Sequence, residues 1–222
     1  MNLYFLLEGK RTEPRIYPKW FEFLLPSYAR IKDPYSVESN QYYMISGMGF
    51  PSLLHNHLKN SIDEVNEIDK YDYLVIVLDS EEENVEFRIN EVNKFIENNN
   101  LELNCRLKII VQHRCIETWL LGNKKVFARQ PSSTVLVKYI QHYNVYENDP
   151  ENCHKYEIFS TTADFHLSYL KLMLKERNIS YTKKYPRDTA EVYYLEQLIN
   201  RTKNGHIKSF KDLMNFCEKI EK

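Results

Sequence analysis

Leu3-Tyr-Phe-Leu-Leu-Glu-Gly-Lys-Arg-Thr-Glu13 is the stretch that decides the fold. Its apolar first half has the length of a β-strand and stops abruptly at Glu8, where Gly9 permits a tight turn or a close approach of the backbone. Ligands of open α/β sheets bind at the carboxyl ends of the strands. Glu8 is therefore a candidate functional residue.

Four apolar segments of strand length alternate with helical patterns along the first half of the chain, and residues 30–40 between them read as a loop. The segments are Leu3–Leu7, Gln41–Ile45, Tyr73–Leu78 and Cys105–Val111. This order predicts an α/β fold, with a mostly parallel sheet of about four strands flanked by helices. Beyond Gly122 the pattern becomes helical, so we predict an α/β domain over residues 1–125 and a helical C-terminal extension over 126–222, packed on or beside it.

Several residues mark where the helices are expected to start. Thr12 and Asn84 are predicted N-caps, and so is Ser209 before the last helix. Asp188 and Glu191 have the spacing of a capping box. Pro18 predicts that the first helix is kinked or starts late.

Composition indicates a globular protein: 43% of the 222 residues are hydrophobic and only 5 are glycine. No apolar run approaches the roughly 18 residues of a membrane span, and the N-terminus lacks the pattern of a signal peptide. Four irregularly spaced cysteines are typical of reduced thiols. These features predict a soluble, cytoplasmic protein that does not engage a membrane.

Charge is unevenly distributed although the net charge is only −1. The segment from Asp63 to Glu102 carries 13 acidic and 3 basic residues, whereas Lys171 to Lys222 carries 12 basic and 7 acidic residues. An acidic half suits metal binding and a basic half suits a phosphate-bearing partner. Two solvated faces of opposite sign are the alternative interpretation.

Four carboxylates follow three of the predicted strands and converge at one edge of a parallel sheet. Glu8 follows the first strand, Asp79 and Glu81 follow the third, and Glu117 follows the fourth. On an extended segment, residues two apart point the same way, so Asp79 and Glu81 would face one site. Clustered carboxylates favour a hard cation such as Mg²⁺ or Mn²⁺, and two such ions can cleave a phosphodiester. The alternative is a solvated acidic turn, with Glu8 as a helix-start charge.

Three groups of basic residues are candidate contacts to a nucleic-acid backbone, because Arg and Lys recognise phosphate. Tyr181 and Tyr185 are interleaved with the third group. Each group is also compatible with a structural or solvated role. They are Lys10 and Arg11; His113 and Arg114; and Lys183, Lys184 and Arg187. The chain has no Walker-type phosphate loop.

Glu8-Gly9 at one strand end and Asp79-x-Glu81 at a later one resemble the TOPRIM domain of topoisomerases, primases and OLD-family nucleases. Within that superfamily, Glu8-Gly-Lys-Arg-Thr-Glu-Pro14 followed by Cys115-Ile-Glu-Thr-Trp-Leu-Leu121 resembles the small bacterial RloB-like proteins. The resemblance covers about the first 125 residues. This chain departs from it at Glu81, where TOPRIM proteins mostly carry aspartate.

The resemblance implies Glu8 as general base or metal ligand, Asp79 and Glu81 as metal ligands, and Glu117 as an accessory acid. The function it implies is a Mg²⁺- or Mn²⁺-dependent nuclease acting on DNA or RNA, as an effector of bacterial anti-phage defence beside a partner ATPase. One alternative is a catalytically weak TOPRIM-like regulatory subunit that docks on that ATPase. Another is a flavodoxin-like small-ligand binder. Homo-oligomerisation through the apolar helical tail is also left open.

Overall fold

The computed structural model describes residues 1–222, and its centre is a five-stranded sheet in which all strands are parallel. The strands are β1 (Asn2–Leu7), β2 (Ala29–Arg30), β3 (Gln41–Ser46), β4 (Tyr73–Asp79) and β5 (Arg106–Gln112). Their order in the sheet is β2-β3-β1-β4-β5. The prediction of an α/β fold with a parallel sheet flanked by helices is confirmed.

The predicted count of about four strands is wrong, because β2 adds a fifth at one edge. It comprises only Ala29 and Arg30, both exposed, and pairs with Gln41 and Tyr42 of β3. A strand of two exposed residues leaves no hydrophobic pattern in the sequence. Its existence depends on backbone pairing alone.

Helices cover both faces of the sheet. On one face, helix α1 (Glu13–Leu24) packs with the C-terminal helices. On the other face lie a π-helical turn (Leu53–Leu58), α2 (Lys59–Ile68) and α3 (Val85–Asn98). Short 3₁₀ helices span Pro34–Ser36, Pro150–Asn152 and Arg187–Ala190. The α-helices are α1 (Glu13–Leu24), α2 (Lys59–Ile68), α3 (Val85–Asn98), α4 (Ile116–Leu120), α5 (Thr134–His142), α6 (Thr162–Lys175), α7 (Val192–Thr202) and α8 (Lys208–Glu221).

The C-terminal helices share one hydrophobic core with the sheet. Alternate side chains of β1, such as Leu3 and Phe5, belong to the same buried cluster as residues of α6, α7 and α8. The Phe210 ring on α8 lies 5.7 Å from Trp20 of α1 and 5.3 Å from Trp119 of α4, measured between ring centroids. Residues 126–222 therefore pack directly against one face of the sheet.

The chain path opens a crevice between β1 and β4. These strands are neighbours, but β1 leads into α1 on one face and β4 leads into α3 on the other. Such a reversal at the carboxyl ends of parallel strands is where α/β sheets bind their ligands. Glu8 and Asp79 stand at this point.

Asn84 caps α3 as predicted, its Oδ1 accepting a hydrogen bond from Phe87 N at 2.8 Å. Helix α1 begins directly after Thr12, so this predicted start is confirmed, although the Thr12 side chain forms no capping hydrogen bond and donates to the Lys183 carbonyl. The other two predicted starts are wrong, because α7 follows Glu191 and α8 follows Ile207. Asp188 accepts a hydrogen bond from the Tyr193 hydroxyl, and Ser209 lies inside α8 and donates to Glu151. Helix α1 runs through Pro18, starting at Glu13.

None of the helices combines the length and apolarity that crossing a membrane would require. All four cysteines are unpaired.

Candidate active site

A cleft of about 560 Å³ lies over the carboxyl ends of β1 and β4. Its walls come from six parts of the chain: the loop after β1, the loop after β3, the end of β4, the first turn of α4, the first turn of α6, and the segment before α7. It brings together seven of the residues singled out from the sequence. These are Glu8, Lys10, Arg11, Asp79, Glu81, Glu117 and Lys183.

Glu8 is fixed where β1 meets the cleft. Its backbone N–H donates to the Val77 carbonyl at 2.8 Å, which continues the sheet by one residue, and its Oε2 accepts from Asp79 N at 2.9 Å. Burial raises the pKa of Glu8 to about 6, although the hydrogen bond from Asp79 N opposes the rise. A carboxylate with this pKa is suited to accept a proton near neutral pH.

Asp79 is the last residue of β4 and has an unsatisfied oxygen. Its Oδ1 is buried and has no hydrogen-bond partner. Burial and then the nearby Glu8 raise the pKa of Asp79 well above its ordinary value. A buried oxygen without a partner is costly unless a proton or a cation satisfies it. A metal ion bound to Asp79 Oδ1 would provide the missing partner.

Glu13 is a further buried carboxylate of the cleft, and the sequence reasoning did not select it. It begins α1, and its carboxylate lies so close to Gly9 that a Cβ built there would be 1.9 Å from Oε2. Burial, followed by the charges of Glu117 and Glu8, raises the pKa of Glu13 to about 7. The sequence did carry a signal for Glu13: it is a second acidic residue five positions after Glu8, at a predicted helix start. A helix that begins there places Glu13 near the end of β1.

Glu117 enters the cleft from the first turn of α4 and is almost fully buried. Its Oε1 accepts a hydrogen bond from the Tyr181 hydroxyl at 2.9 Å. Lys183, two residues after Tyr181, also lines the cleft. Its backbone carbonyl accepts a hydrogen bond from Thr12 Oγ1 at 3.3 Å. The charge of Glu117 raises the pKa of Lys183, which therefore provides a cation among the carboxylates.

The expectation that Glu81 points the same way as Asp79 on an extended segment is wrong. The strand ends at Asp79, and Glu81 has a left-handed backbone (φ 52°) in the turn that follows. Its exposed side chain lies at the edge of the cleft, where Oε2 is 3.5 Å from a guanidinium nitrogen of Arg88. Glu81 thus reaches the cleft from its rim.

Four of the predicted phosphate contacts do not line the cleft: His113, Arg114, Lys184 and Arg187. His113 Nδ1 is hydrogen-bonded to Ser80 Oγ at 3.0 Å, and Arg114 donates to the carbonyls of Glu81 and Glu83. These two residues organise the loop after β4. Lys184 is exposed, with its amino group 5.3 Å from the centroid of the Tyr185 ring, and Arg187 is exposed as well.

The site fits a hard cation by the chemistry of its donors. No group of three or more His, Cys, Asp or Glu side chains is arranged to hold a metal ion by itself. Mg²⁺ is usually held by one or two carboxylates together with waters and substrate phosphates, so a complete protein cage is not required. Glu8 and Asp79, with the unsatisfied Oδ1, are the residues that would hold it.

Comparisons with protein-family models, with curated proteins and with solved structures gave no significant match. The assignment of a function therefore depends on the site itself.

Proposed function

We propose that the chain is a Mg²⁺- or Mn²⁺-dependent nuclease of the TOPRIM type that cleaves phosphodiester bonds of nucleic acid. The observation that supports this most is a set of carboxylates facing one open cleft that also holds Lys183: the buried Glu8, Glu13 and Glu117, and the partly buried Asp79 with its buried Oδ1. Glu8, Glu13 and Asp79 have raised pKa values, and gathered acids with such shifts are typical of catalytic sites. The sheet position is one at which α/β proteins bind ligands.

The roles follow from where each side chain lies. When bound, a divalent cation would activate water and neutralise charge on the phosphate. Glu8 accepts the proton of the attacking water, and Asp79 offers its free Oδ1 as a ligand. Lys183, Lys10 and Arg11 bind the phosphate oxygens from the other walls.

Tyr181 keeps Glu117 fixed beside Lys183, because its hydroxyl donates to the Glu117 carboxylate. Glu117 acts as the accessory acid of the site. The family resemblance extends this proposal to anti-phage defence in the cytoplasm, with an ATPase partner. DNA and RNA are both compatible with a cleft that contacts phosphate.

One contact favours a second candidate, a TOPRIM-like regulatory subunit with weak catalysis. Glu81, proposed as a metal ligand, is paired with Arg88, which also binds Glu91 at 2.6 Å. A carboxylate held by a guanidinium is less free to bind a metal. A subunit of this kind would retain the fold and dock on its partner without cutting.

The deciding experiment compares the wild type with Glu8→Gln and Asp79→Asn, using Glu83→Gln as the control. Glu83 is an exposed carboxylate in the same loop that does not line the cleft. Cleavage of single-stranded and duplex DNA and RNA is measured with Mg²⁺ or Mn²⁺, and Mn²⁺ binding is measured by calorimetry.

We expect cleavage and Mn²⁺ binding in the wild type and the control, and loss of both in the two site variants. Cleavage that survives in Glu8→Gln and Asp79→Asn would reject this centre. Mn²⁺ binding without cleavage in the wild type would favour the regulatory subunit. Thermal unfolding of each variant checks that the replacements, which preserve side-chain shape, leave the fold intact.

A further inference from the structure

A second concavity, here called the aromatic groove, lies between the π-helical turn and α3. It has a volume of about 400 Å³ and is lined by the rings of Phe50, His55, Phe87 and Phe95. Phe87 is 48% exposed, although most large apolar side chains of this protein are buried. An exposed aromatic ring in a concave site provides a surface for stacking.

The groove is polar as well as aromatic. Asn90 and Asn98, both exposed on α3, contribute side-chain amides to its lining. An amide carries donors and an acceptor, so it matches the edge of a nucleobase. The volume lies within the range of small-ligand pockets. A stable protein interface involves about 20 to 30 residues on each partner, whereas ten residues line this groove.

The groove adjoins the carboxylate cleft through consecutive residues of the chain and through Arg88. Met48 and Gly49 line the cleft, and the next residue, Phe50, lines the groove. The Arg88 guanidinium lies 4.4 Å from the centroid of the Phe50 ring and also pairs with Glu81 at the rim of the cleft. A ligand that fills the groove is therefore adjacent to whatever occupies the cleft.

The segment joining the two sites has an irregular backbone. Met48 has a positive φ of 63°, which is uncommon for a residue with a side chain, and Gly49 has a φ of 98°. The next helix begins with the π-helical turn Leu53–Leu58 instead of regular α-helix. Such features are concentrated at functional sites, where other interactions compensate for their cost.

We propose that the aromatic groove holds one nucleobase of a single-stranded nucleic acid whose backbone phosphate lies in the carboxylate cleft. The inference rests on the proposed nuclease function and adds that the substrate is single-stranded at this point, because a paired and stacked base cannot present its face. Stacking on Phe87 tolerates any base, whereas Asn90 and Asn98 provide the contacts that distinguish bases.

Binding of fluorescently labelled oligothymidylate is the first test, carried out in EDTA so that the proposed metal-dependent nuclease does not cleave the probe. Phe87→Ala and Phe87→Leu both remove the ring, and Phe23→Ala removes a ring of similar exposure (46%) on α1. Loss of one stacked base corresponds to about a five- to hundredfold weaker affinity. We expect this loss in both Phe87 variants and no loss in Phe23→Ala. An oligomer of the same length with abasic sites should bind all proteins equally.

Adenosine, which has a base and no phosphate, probes the groove without the cleft. Its addition should shift the NMR signals of Phe50, Phe87 and His55 in the wild type. Shifts without any nuclease activity would leave the groove assignment standing and remove the proposed function. Nuclease activity with unchanged affinity in Phe87→Ala, and no shifts with adenosine, would overturn the groove and leave the nuclease intact.

Discussion

The missing side chain at Gly9 determines where the Glu13 carboxylate can lie. A Cβ at this position would come within 1.9–2.4 Å of the three terminal atoms of Glu13. Since those atoms end a flexible side chain, Gly9→Ala should leave the fold intact and displace the carboxylate. A displacement of about 1 Å in an active site costs on the order of a hundredfold in rate. We expect that loss in cleavage rate, with little change in melting temperature.

The double variant Gly9→Ala/Glu13→Ala provides the control, because it removes the group with which the new methyl collides. If Gly9 acts through Glu13, adding Gly9→Ala to Glu13→Ala should cause no further loss of activity. Additive losses would show that the methyl group interferes with something other than Glu13.

Two adjacent lysines offer a matched comparison of the cleft with its surroundings. Lys183 lines the cleft, and Lys184 points to solvent beside Tyr185. Lys183→Ala should lower cleavage at least tenfold, because it removes a cation from the phosphate-binding wall. Lys184→Ala should change cleavage less than threefold at moderate salt, as for a screened surface charge. Steady-state kinetics at two salt concentrations measure both, and equal effects would contradict the assignment of Lys183.

At the scale of elements, the loop after β4 connects the sheet to α6. The Glu82 carboxylate accepts hydrogen bonds from Thr162 N at 2.6 Å and from Thr162 Oγ1 at 2.9 Å. An acid at a helix N-terminus is favoured by the helix dipole. The same first turn lines the cleft through Thr161 and Asp164, so Glu82 fixes one wall of the site.

Glu82→Ala should therefore loosen the start of α6. Loss of a capping interaction costs about 1 kcal/mol, so we expect a decrease of that size in the free energy of unfolding and faster hydrogen exchange at residues 162–165. The neighbouring Glu83→Ala is the control, since the exposed Glu83 side chain forms no hydrogen bond or ion pair. Equal exchange in the two variants would show that Glu82 does not hold the helix.

The sequence predicted the elements that buried hydrophobic patterns define. The four longer strands and the meeting of Glu8 with Asp79 follow from apolar runs and from the rule for parallel sheets, and the structure agrees. The two-residue β2 and the turn at Glu81 were missed, because backbone pairing and a positive φ leave no such pattern. The approach of Tyr181 to Glu117 depends on tertiary packing across 64 residues. Local sequence patterns cannot predict a contact between two residues that lie so far apart in the chain.

At the scale of the whole molecule, the cleft is a joint product of the sheet and the C-terminal helices. The sheet contributes Glu8 and Asp79, while α6 and the segment before α7 contribute Asp164 and Lys183. The C-terminal helices pack on the sheet through one continuous core. The stability of that packing and the geometry of the site are therefore linked, and a probe of the packing should report on both.

His166 is such a probe, because it is fully buried where α6 meets α4. Its Nδ1 is hydrogen-bonded to Thr118 Oγ1 at 2.8 Å and its Nε2 to the Cys153 carbonyl at 2.9 Å. A neutral ring satisfies both contacts, donating from Nε2 and accepting at Nδ1. Burial lowers the pKa of His166 to about 4, from an ordinary value near 6.5.

Between these two pKa values the unfolded chain binds a proton that the folded His166 excludes, so the His166 contribution to stability falls as pH is lowered from about 6.5 to 4. Glu8, Glu13 and Asp79, whose pKa values are raised in the folded protein, contribute the opposite sign, so the His166 contribution has to be isolated by substitution. Each bound proton contributes a slope of about 1.4 kcal/mol per pH unit. Burial also lowers the pKa of the partly buried His113 to about 4, so His113 adds a contribution of the same sign.

Urea unfolding at a series of pH values, analysed by linear extrapolation, measures the effect. We expect His166→Gln to reduce the slope of the free energy of unfolding against pH by close to the contribution of one proton. His154→Gln, at an exposed position, should leave that slope unchanged. If the free energy of unfolding depended on pH equally in His166→Gln and in the wild type, that dependence would have to arise outside the contact between α6 and α4.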